Sequence, residues 1–262
     1  MIDDLPRNNF KRALKAGEAQ IGLWLSMTSP VATEIVAGAG FDWMLVDMEH
    51  SANDLVEVAA HLRAAVGGSA EPVVRVPWNE PVMVKRVLDI GARSLLFPFV
   101  QSAEEARRAV AATRYPPKGI RGVAGTTRAN RYGRVKDYPK RAEEEICILV
   151  QVETQTAVAA IEAIAAVEGV DGLFIGPADL SASMGHVGNW QLPEVWQTIL
   201  AAGKRIRAAG KAPGFLSARE EECRAVLDGG FQFVAVGSDV GILARQSEAL
   251  VRAYGSYRKA PQ

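Results

Sequence analysis

Eight short apolar runs alternating with longer helical patterns, glycine-marked turns between them and a length of 262 residues predict one fold class, an α/β chain closed into a parallel (β/α)8, or TIM, barrel. The runs are Ile21–Leu25, Trp43–Val46, Val73–Val76, Ser94–Phe97, Cys147–Val152, Gly172–Ile175, Ala212–Leu216 and Phe231–Val236. Most are apolar without alternation, as strands covered on both faces must be. The helical patterns are Pro30–Gly38, Asn53–Val66, Pro81–Ile90, Ala103–Thr113, Thr156–Val167, Pro193–Ala209, Arg219–Leu227 and Asp239–Tyr257. Ser29 suits an N-cap, because its side-chain oxygen can accept from a first-turn N–H. Ser102 with Glu104 and Glu105 suits a helix start near Ala103, where acidic groups meet the positive end of the helix. Gly38, Gly91, Gly210 and Gly229 mark helix ends. An open doubly wound sheet is the rival architecture, but the glycine-rich dinucleotide fingerprint is absent. Residues 1–262 read as a single barrel domain. Tyr115–Glu145 is long and irregular, rich in arginine, and reads either as a cover over the active site or as a solvated loop.

Composition narrows the function. Lys plus Arg equals Asp plus Glu at 30 each, so no basic footprint for nucleic acid exists. Cys147 and Cys223 lack a CxxC spacing, giving neither a disulfide framework nor a zinc site and pointing to a cytoplasmic location. The segment Met1–Phe10 lacks the apolar run of a signal peptide. No apolar stretch reaches the ~18 residues of a membrane helix.

In such a barrel, catalysis sits where the strands end. Trp24 falls there on the first strand, Asp47, Glu49 and His50 after the second, and Arg75 at the third. Gln151 and Glu153 end the fifth, Gly176, Pro177 and Asp179 follow the sixth, and Leu216 and Ser217 close the seventh. Glu153 and Asp179 are one strand–helix unit apart, so two carboxylates stand on adjacent strands. Together they could share a hard divalent cation such as Mg2+ or Mn2+ and leave coordination positions for a 2-oxo acid. Equally, each could cap a helix or a turn. His50 is the histidine at a strand end and suits proton transfer near neutral pH; His61 reads as structural or exposed, and His186 lies in a glycine-rich loop that could line the site. Arg75 interrupts an apolar run. It must pair either with Asp47, Glu49 or Asp89, or with a bound anion. The backbone N–H groups after Gly176 could take a carboxylate, or form a plain turn. No lysine falls at a proposed strand end, so a Schiff-base aldolase lacks its nucleophile and metal-assisted enolisation is preferred.

Five segments carry a resemblance: Asp47-Met48-Glu49-His50, Val74-Arg75-Val76-Pro77-Trp78-Asn79, Arg114 to Gly122, Gln151-Val152-Glu153-Thr154 and Gly172 to Ser181. Over nearly the whole chain the sequence resembles the HpcH/HpaI aldolases, the class II metal-dependent pyruvate aldolases. Ala52 departs from the proline many relatives carry there. The resemblance implies reversible aldol cleavage and addition between a pyruvate or hydroxypyruvate enolate and an aldehyde. It implies Glu153 and Asp179 as ligands of Mg2+, Mn2+ or Co2+, and His50 with Asp89 as the acid/base system. It further implies Arg75 as the group holding the keto oxygen, Gln151, Ala178 and Asp179 as pyruvate contacts, and Trp24 and Leu216 as pocket walls. Partners would be a small 2-oxo acid and an aldehyde, which Arg121, Arg128 or His186 could touch. The assembly implied is a homohexamer, a trimer of dimers exchanging the C-terminal helix. A citrate lyase β-like enzyme acting on acyl-CoA is the alternative, with Arg121, Arg128, Arg131 and Arg134 as phosphate contacts.

Overall fold

The computed structural model describes residues 4–257. Eight parallel strands pair in chain order and close, β8 against β1: β1 (Gln20–Leu25), β2 (Trp43–Asp47), β3 (Glu71–Arg75), β4 (Ser94–Phe97), β5 (Cys147–Val152), β6 (Gly172–Ile175), β7 (Ala212–Leu216) and β8 (Phe233–Ser238). The expected (β/α)8 barrel is therefore present. The strand assignments hold within two residues at each end, β3 starting two residues earlier than its apolar run and β8 starting and ending two residues later. Thr156–Val167 is two short helices, Gln155–Ala159 and Ile161–Ala165, joined at Ala160. Among the described residues no helix is long and apolar enough to cross a membrane.

Two apolar layers hold the barrel. Inside it, Trp24, Trp43, Leu45, Val73, Leu96, Leu149, Phe174 and Phe233 fill the space between strands, while a larger layer lies between strands and helices. The helix Asn9–Ala16, absent from the sequence expectation, plugs the N-terminal rim. Asn8 caps its start and Gly17 its end. Its Phe10 and Leu14, four residues apart, share one face that enters the barrel. The Phe10 ring lies 5.6 Å from Trp43 and 5.9 Å from Phe233, centroid to centroid. Phe10→Ala empties a fully enclosed position and is expected to cost about 3–5 kcal/mol. The urea midpoint should fall accordingly with its slope unchanged; a shift below about 1 kcal/mol would show that the plug contributes nothing.

Tyr115–Glu145 does not cover the catalytic rim. It follows the helix Ala103–Thr113, which runs back down the barrel, and so emerges at the N-terminal rim. There Arg121 is fully buried against Asp89 at 2.7 Å and lies over the Tyr115 ring at 4.6 Å. Arg128 donates to the carbonyls of Leu62 and Ile90. The segment carries its own helix, Tyr138–Glu145, whose Glu145 receives the backbone N–H of Asn8.

Candidate active site

A cavity of about 540 Å³ opens where the strands end. Trp24, His50, Arg75, Gln151, Glu153, Ala178, Asp179 and Leu216 all line it, whereas Asp89, His186, Arg121 and Arg128 do not. A somewhat larger cavity, about 600 Å³, lies at the opposite rim and lacks the carboxylate pair.

Asp89 is a correction. It sits at the last position of the helix Pro81–Asp89, which delivers it to the N-terminal rim and to Arg121. Within one chain it cannot orient His50. The nearest acid to His50 is Glu49, 3.9 Å from its Nε2, and the imidazole is largely exposed at the cavity mouth. His186 is another correction: its Nε2 pairs with Glu194 Oε1 at 2.5 Å and it does not line the cavity. Neither do Arg121 and Arg128, so none of the three lines the cavity within the chain.

Arg75 anchors the floor. Its Nε and Nη2 donate to the two oxygens of Asp47 at 2.8 and 2.6 Å. Nη1 stands 2.7 Å from Glu49 Oε2, an ion pair without hydrogen-bond alignment, and 3.4 Å from Gln151 Oε1. The guanidinium also lies 4.9 Å from the Trp24 ring centre, and Trp24 Nε1 donates to Asp47 at 3.2 Å. Burial pushes the Asp47 carboxyl up, but the hydrogen bonds and charge of Arg75 outweigh it and hold the group below its usual range. The fork is thus fixed in direction, with its outer edge toward the cavity.

Glu153 is 3% exposed. Its Oε1 accepts from Phe99 N–H at 2.7 Å and its Oε2 from Gln151 Nε2 at 2.6 Å. Burial raises its pKa to about 7; the Phe99 N–H opposes this, while the charges of Asp179 and Glu49 add to it. Phe99 adopts a left-handed backbone (φ 56°), a costly conformation for a non-glycine residue, and this aims its N–H at the carboxylate. Gly176 is required beside it, since a Cβ there would come within 2.3 Å of Glu153 Oε2. The capping roles open to the two carboxylates are not taken: Thr154 caps the helix after Glu153, and Asp179 makes no side-chain cap.

Asp179 has no hydrogen bond or ion pair among the described residues and repels both Glu153 and Glu49. A desolvated carboxylate beside an unpartnered one is a donor set suited to a hard divalent ion. Among the described residues no group of three or more His, Cys, Asp and Glu side chains gathers to hold a metal. Two carboxylates leave the remaining positions to ligand oxygens and water.

The loop bearing Glu49 and His50 is pinned from below. His61 is 1% exposed; its Nε2 meets Asn53 Oδ1 at 3.0 Å and its Nδ1 meets Thr33 Oγ1 at 2.5 Å. Asn53 Nδ2 in turn donates to the Asp47 carbonyl at 2.9 Å. That network makes Nε2 the protonated nitrogen, and burial holds the imidazole below its ordinary pKa. Also unforeseen are Phe174, Trp190, Gln191 and Arg219 in the cavity wall. Trp190 and Gln191 sit in a connection without periodicity, so no pattern marks them. None of the described lysines lines the cavity.

The sequence profile described as HpcH/HpaI aldolase/citrate lyase matches residues 20–245. The chain is 52% identical over 254 residues, 97% of each partner, to a 4-hydroxy-2-oxo-heptane-1,7-dioate aldolase of Shigella sonnei (strain Ss046). Its fold is similar to the crystal structure of an HpcH/HpaI aldolase/citrate lyase family protein from Burkholderia cenocepacia J2315, at TM-score 0.89 and 43% identity over 94% of this chain and 98% of that one. A citrate synthase structure follows at TM-score 0.84 and 29% identity, covering 94% and 97%. With the barrel, the rim carboxylates and these similarities together, the chain belongs to the HpcH/HpaI aldolase/citrate lyase family.

Proposed function

We propose that the protein is a metal-dependent carbon–carbon lyase, an aldolase that reversibly cleaves 4-hydroxy-2-oxo acids into pyruvate, or hydroxypyruvate, and an aldehyde. The observation that carries this reading is the pair Glu153 and Asp179 on adjacent strand ends beside the fixed fork of Arg75. Glu153 and Asp179 would hold Mg2+, Mn2+ or Co2+, which supplies Lewis acidity toward the keto oxygen of the 2-oxo acid. Arg75, held by Asp47, faces that oxygen with its outer N–H groups and stabilises the charge of the enolate. Gln151 positions the carboxylate end, together with the backbone N–H groups of Ala178 and Asp179. In addition, His50 takes the proton from the donor methyl group; in cleavage, the C4 hydroxyl proton goes to it instead. Glu49 is its partner within the chain, in place of Asp89. Trp24 and Leu216 form the apolar walls.

The assembly proposed is a cytoplasmic homohexamer whose last helix, Asp239–Ala253, packs on a neighbour. Val240, Ile242, Leu243, Leu250 and Val251 are all exposed on it, an apolar face that a partner would cover. A groove for coenzyme A is not favoured, because Arg121 and Arg128 are engaged at the other end of the barrel. The test is deuterium exchange at the pyruvate methyl and cleavage of a 4-hydroxy-2-oxo acid. Both are expected to vanish on chelation and return with Mn2+. Full aldol activity in the chelated protein would overturn the proposal.

A further inference from the structure

The contacts that hold Glu153 lead outward to an exposed tryptophan. Glu153 keeps one side-chain arrangement because Phe99 N–H donates to its Oε1 at 2.7 Å and Gln151 Nε2 to its Oε2 at 2.6 Å. Gln151 is fixed by its place on β5. Phe99 lies on no strand. It belongs to the turn after β4, and its left-handed backbone (φ 56°) is one that a residue with a Cβ leaves unless something holds it there.

The chain beyond Phe99 is anchored. Val100 N–H donates to the Gln151 carbonyl at 3.1 Å, Gln101 N–H to Glu105 Oε2 at 2.6 Å, and Thr154 Oγ1 to Gln101 Oε1 at 3.1 Å. With Val100 fixed, a change of φ at Phe99 must swing the peptide that carries its N–H away from Glu153. None of those bonds touches the Phe99 ring. That ring lies on Trp78, with centroids 5.9 Å apart and planes 26° from parallel. Among the described residues neither ring belongs to either apolar layer of the barrel, so the stack is local. Trp78 is set in a short turn after β3. Its carbonyl accepts from Glu80 N–H at 2.9 Å, and Asn79 Nδ2 beside it donates to the Glu105 carbonyl at 2.9 Å. The indole is 55% exposed and does not line the cavity. An aromatic stack is comparable in free energy with a left-handed non-glycine backbone, so it can decide which conformation the turn keeps.

Resting on the aldolase reading above, we propose that Trp78 is a positioning residue: stacked on Phe99, it holds the turn after β4 in the shape that aims an N–H at Glu153 and readies that carboxylate for a divalent cation. Trp78 touches neither the ion nor the substrate. Shortening it frees the turn, and Glu153 loses one of the two bonds that fix it before the ion arrives.

The experiment titrates Mn2+ alone into metal-free protein and reads free Mn2+ by electron paramagnetic resonance. It uses the wild type, Trp78→Ala, Trp78→Phe, Phe99→Gly, the double variant Trp78→Ala with Phe99→Gly, and Glu153→Gln. Trp78 is exposed, so its replacement opens no buried cavity. Trp78→Ala should weaken Mn2+ binding by about three- to tenfold, the range expected of one aromatic stack. Trp78→Phe keeps a stacked ring and should bind within about twofold of the wild type. Glycine adopts the left-handed backbone unaided, so Trp78→Ala added to Phe99→Gly should weaken binding no further. A wild type that binds Mn2+ beside a Trp78→Ala that binds it equally well, or one weakened to the same extent with or without the Phe99 ring, overturns this assignment alone. A wild type that does not bind Mn2+, or a Glu153→Gln that binds it as well as the wild type, overturns the metal-dependent reading and this inference with it.

Discussion

Glu153→Gln is expected to abolish the response to divalent cations and to lower aldol turnover by on the order of a thousandfold. The burial that makes Glu153 a good ligand also makes it costly to keep ionised without a cation. Its carboxyl moves from an ordinary 4.5 to about 7, chiefly through burial. The folded state therefore holds this proton more tightly than the unfolded state does. In the chelated protein, the contribution favours folding below the unfolded value and is lost as pH rises from 4.5 through about 7. A shift of that size corresponds to about 3 kcal/mol at most. Chelated wild type should thus lose stability between about pH 5 and pH 8, and chelated Glu153→Gln should lose less. Adding Mn2+ should raise the unfolding temperature of wild type, more at about pH 8 than at about pH 6, because the ion must displace a proton. Differential scanning calorimetry with and without Mn2+ reads both effects. An equal Mn2+ shift in the variant would remove Glu153 from the ion's coordination.

Much of this arrangement was legible in the sequence, for identifiable reasons. A strand buried on both faces cannot hide its apolar run, so the barrel and the residues at its strand ends followed together. Trp24, Arg75, Gln151, Glu153 and Asp179 meet in one cavity because a parallel barrel puts every strand end on one rim. His186 apart, the errors came from the other rim. Asp89 and the segment Tyr115–Glu145 both come after chain that has already turned back, and strand order alone places them away from the site. Because Tyr115–Glu145 follows the helix Ala103–Thr113, only the first of its two readings, a cover over the active site, fails within the chain. The plug helix Asn9–Ala16 was missed because two apolar residues, Phe10 and Leu14, make a weak pattern over so short a span. The hydrogen bonds that Glu222 accepts from Trp190 and Gln191 left no pattern, since those partners lie 32 and 31 residues away in a connection without regular structure. His61 proves structural, the first of its two readings, but its partners Thr33 and Asn53 meet across elements and left no sequence signal.

Arg75→Lys is the second change expected to have a large effect, and it separates a chemical role from a structural one. As the structure stands, the guanidinium serves two sets of partners at once. Its inner nitrogens bind both oxygens of Asp47, while Nη1 faces Glu49 and Gln151. A lysine keeps the positive charge, so Asp47 and Glu49 are not left buried without a counter-ion, and the fold should lose little. It cannot, however, reproduce a planar fork that holds Asp47 on one edge and presents N–H groups on the other. If the fork stabilises charge growing on the enolate oxygen, kcat should fall by about 10²–10³ while the KM for the 2-oxo acid changes less, as for loss of one donor aimed at a developing oxyanion. Replacement by alanine is a poorer test, since uncompensated buried carboxylates would cost about 3–5 kcal/mol and confuse folding with chemistry. Steady-state kinetics beside thermal unfolding of Arg75→Lys decide the matter. A variant as stable as wild type, within about threefold of its kcat, would reduce Arg75 to a structural counter-ion for Asp47 and Glu49. The charge of the enolate would then have to be stabilised without it.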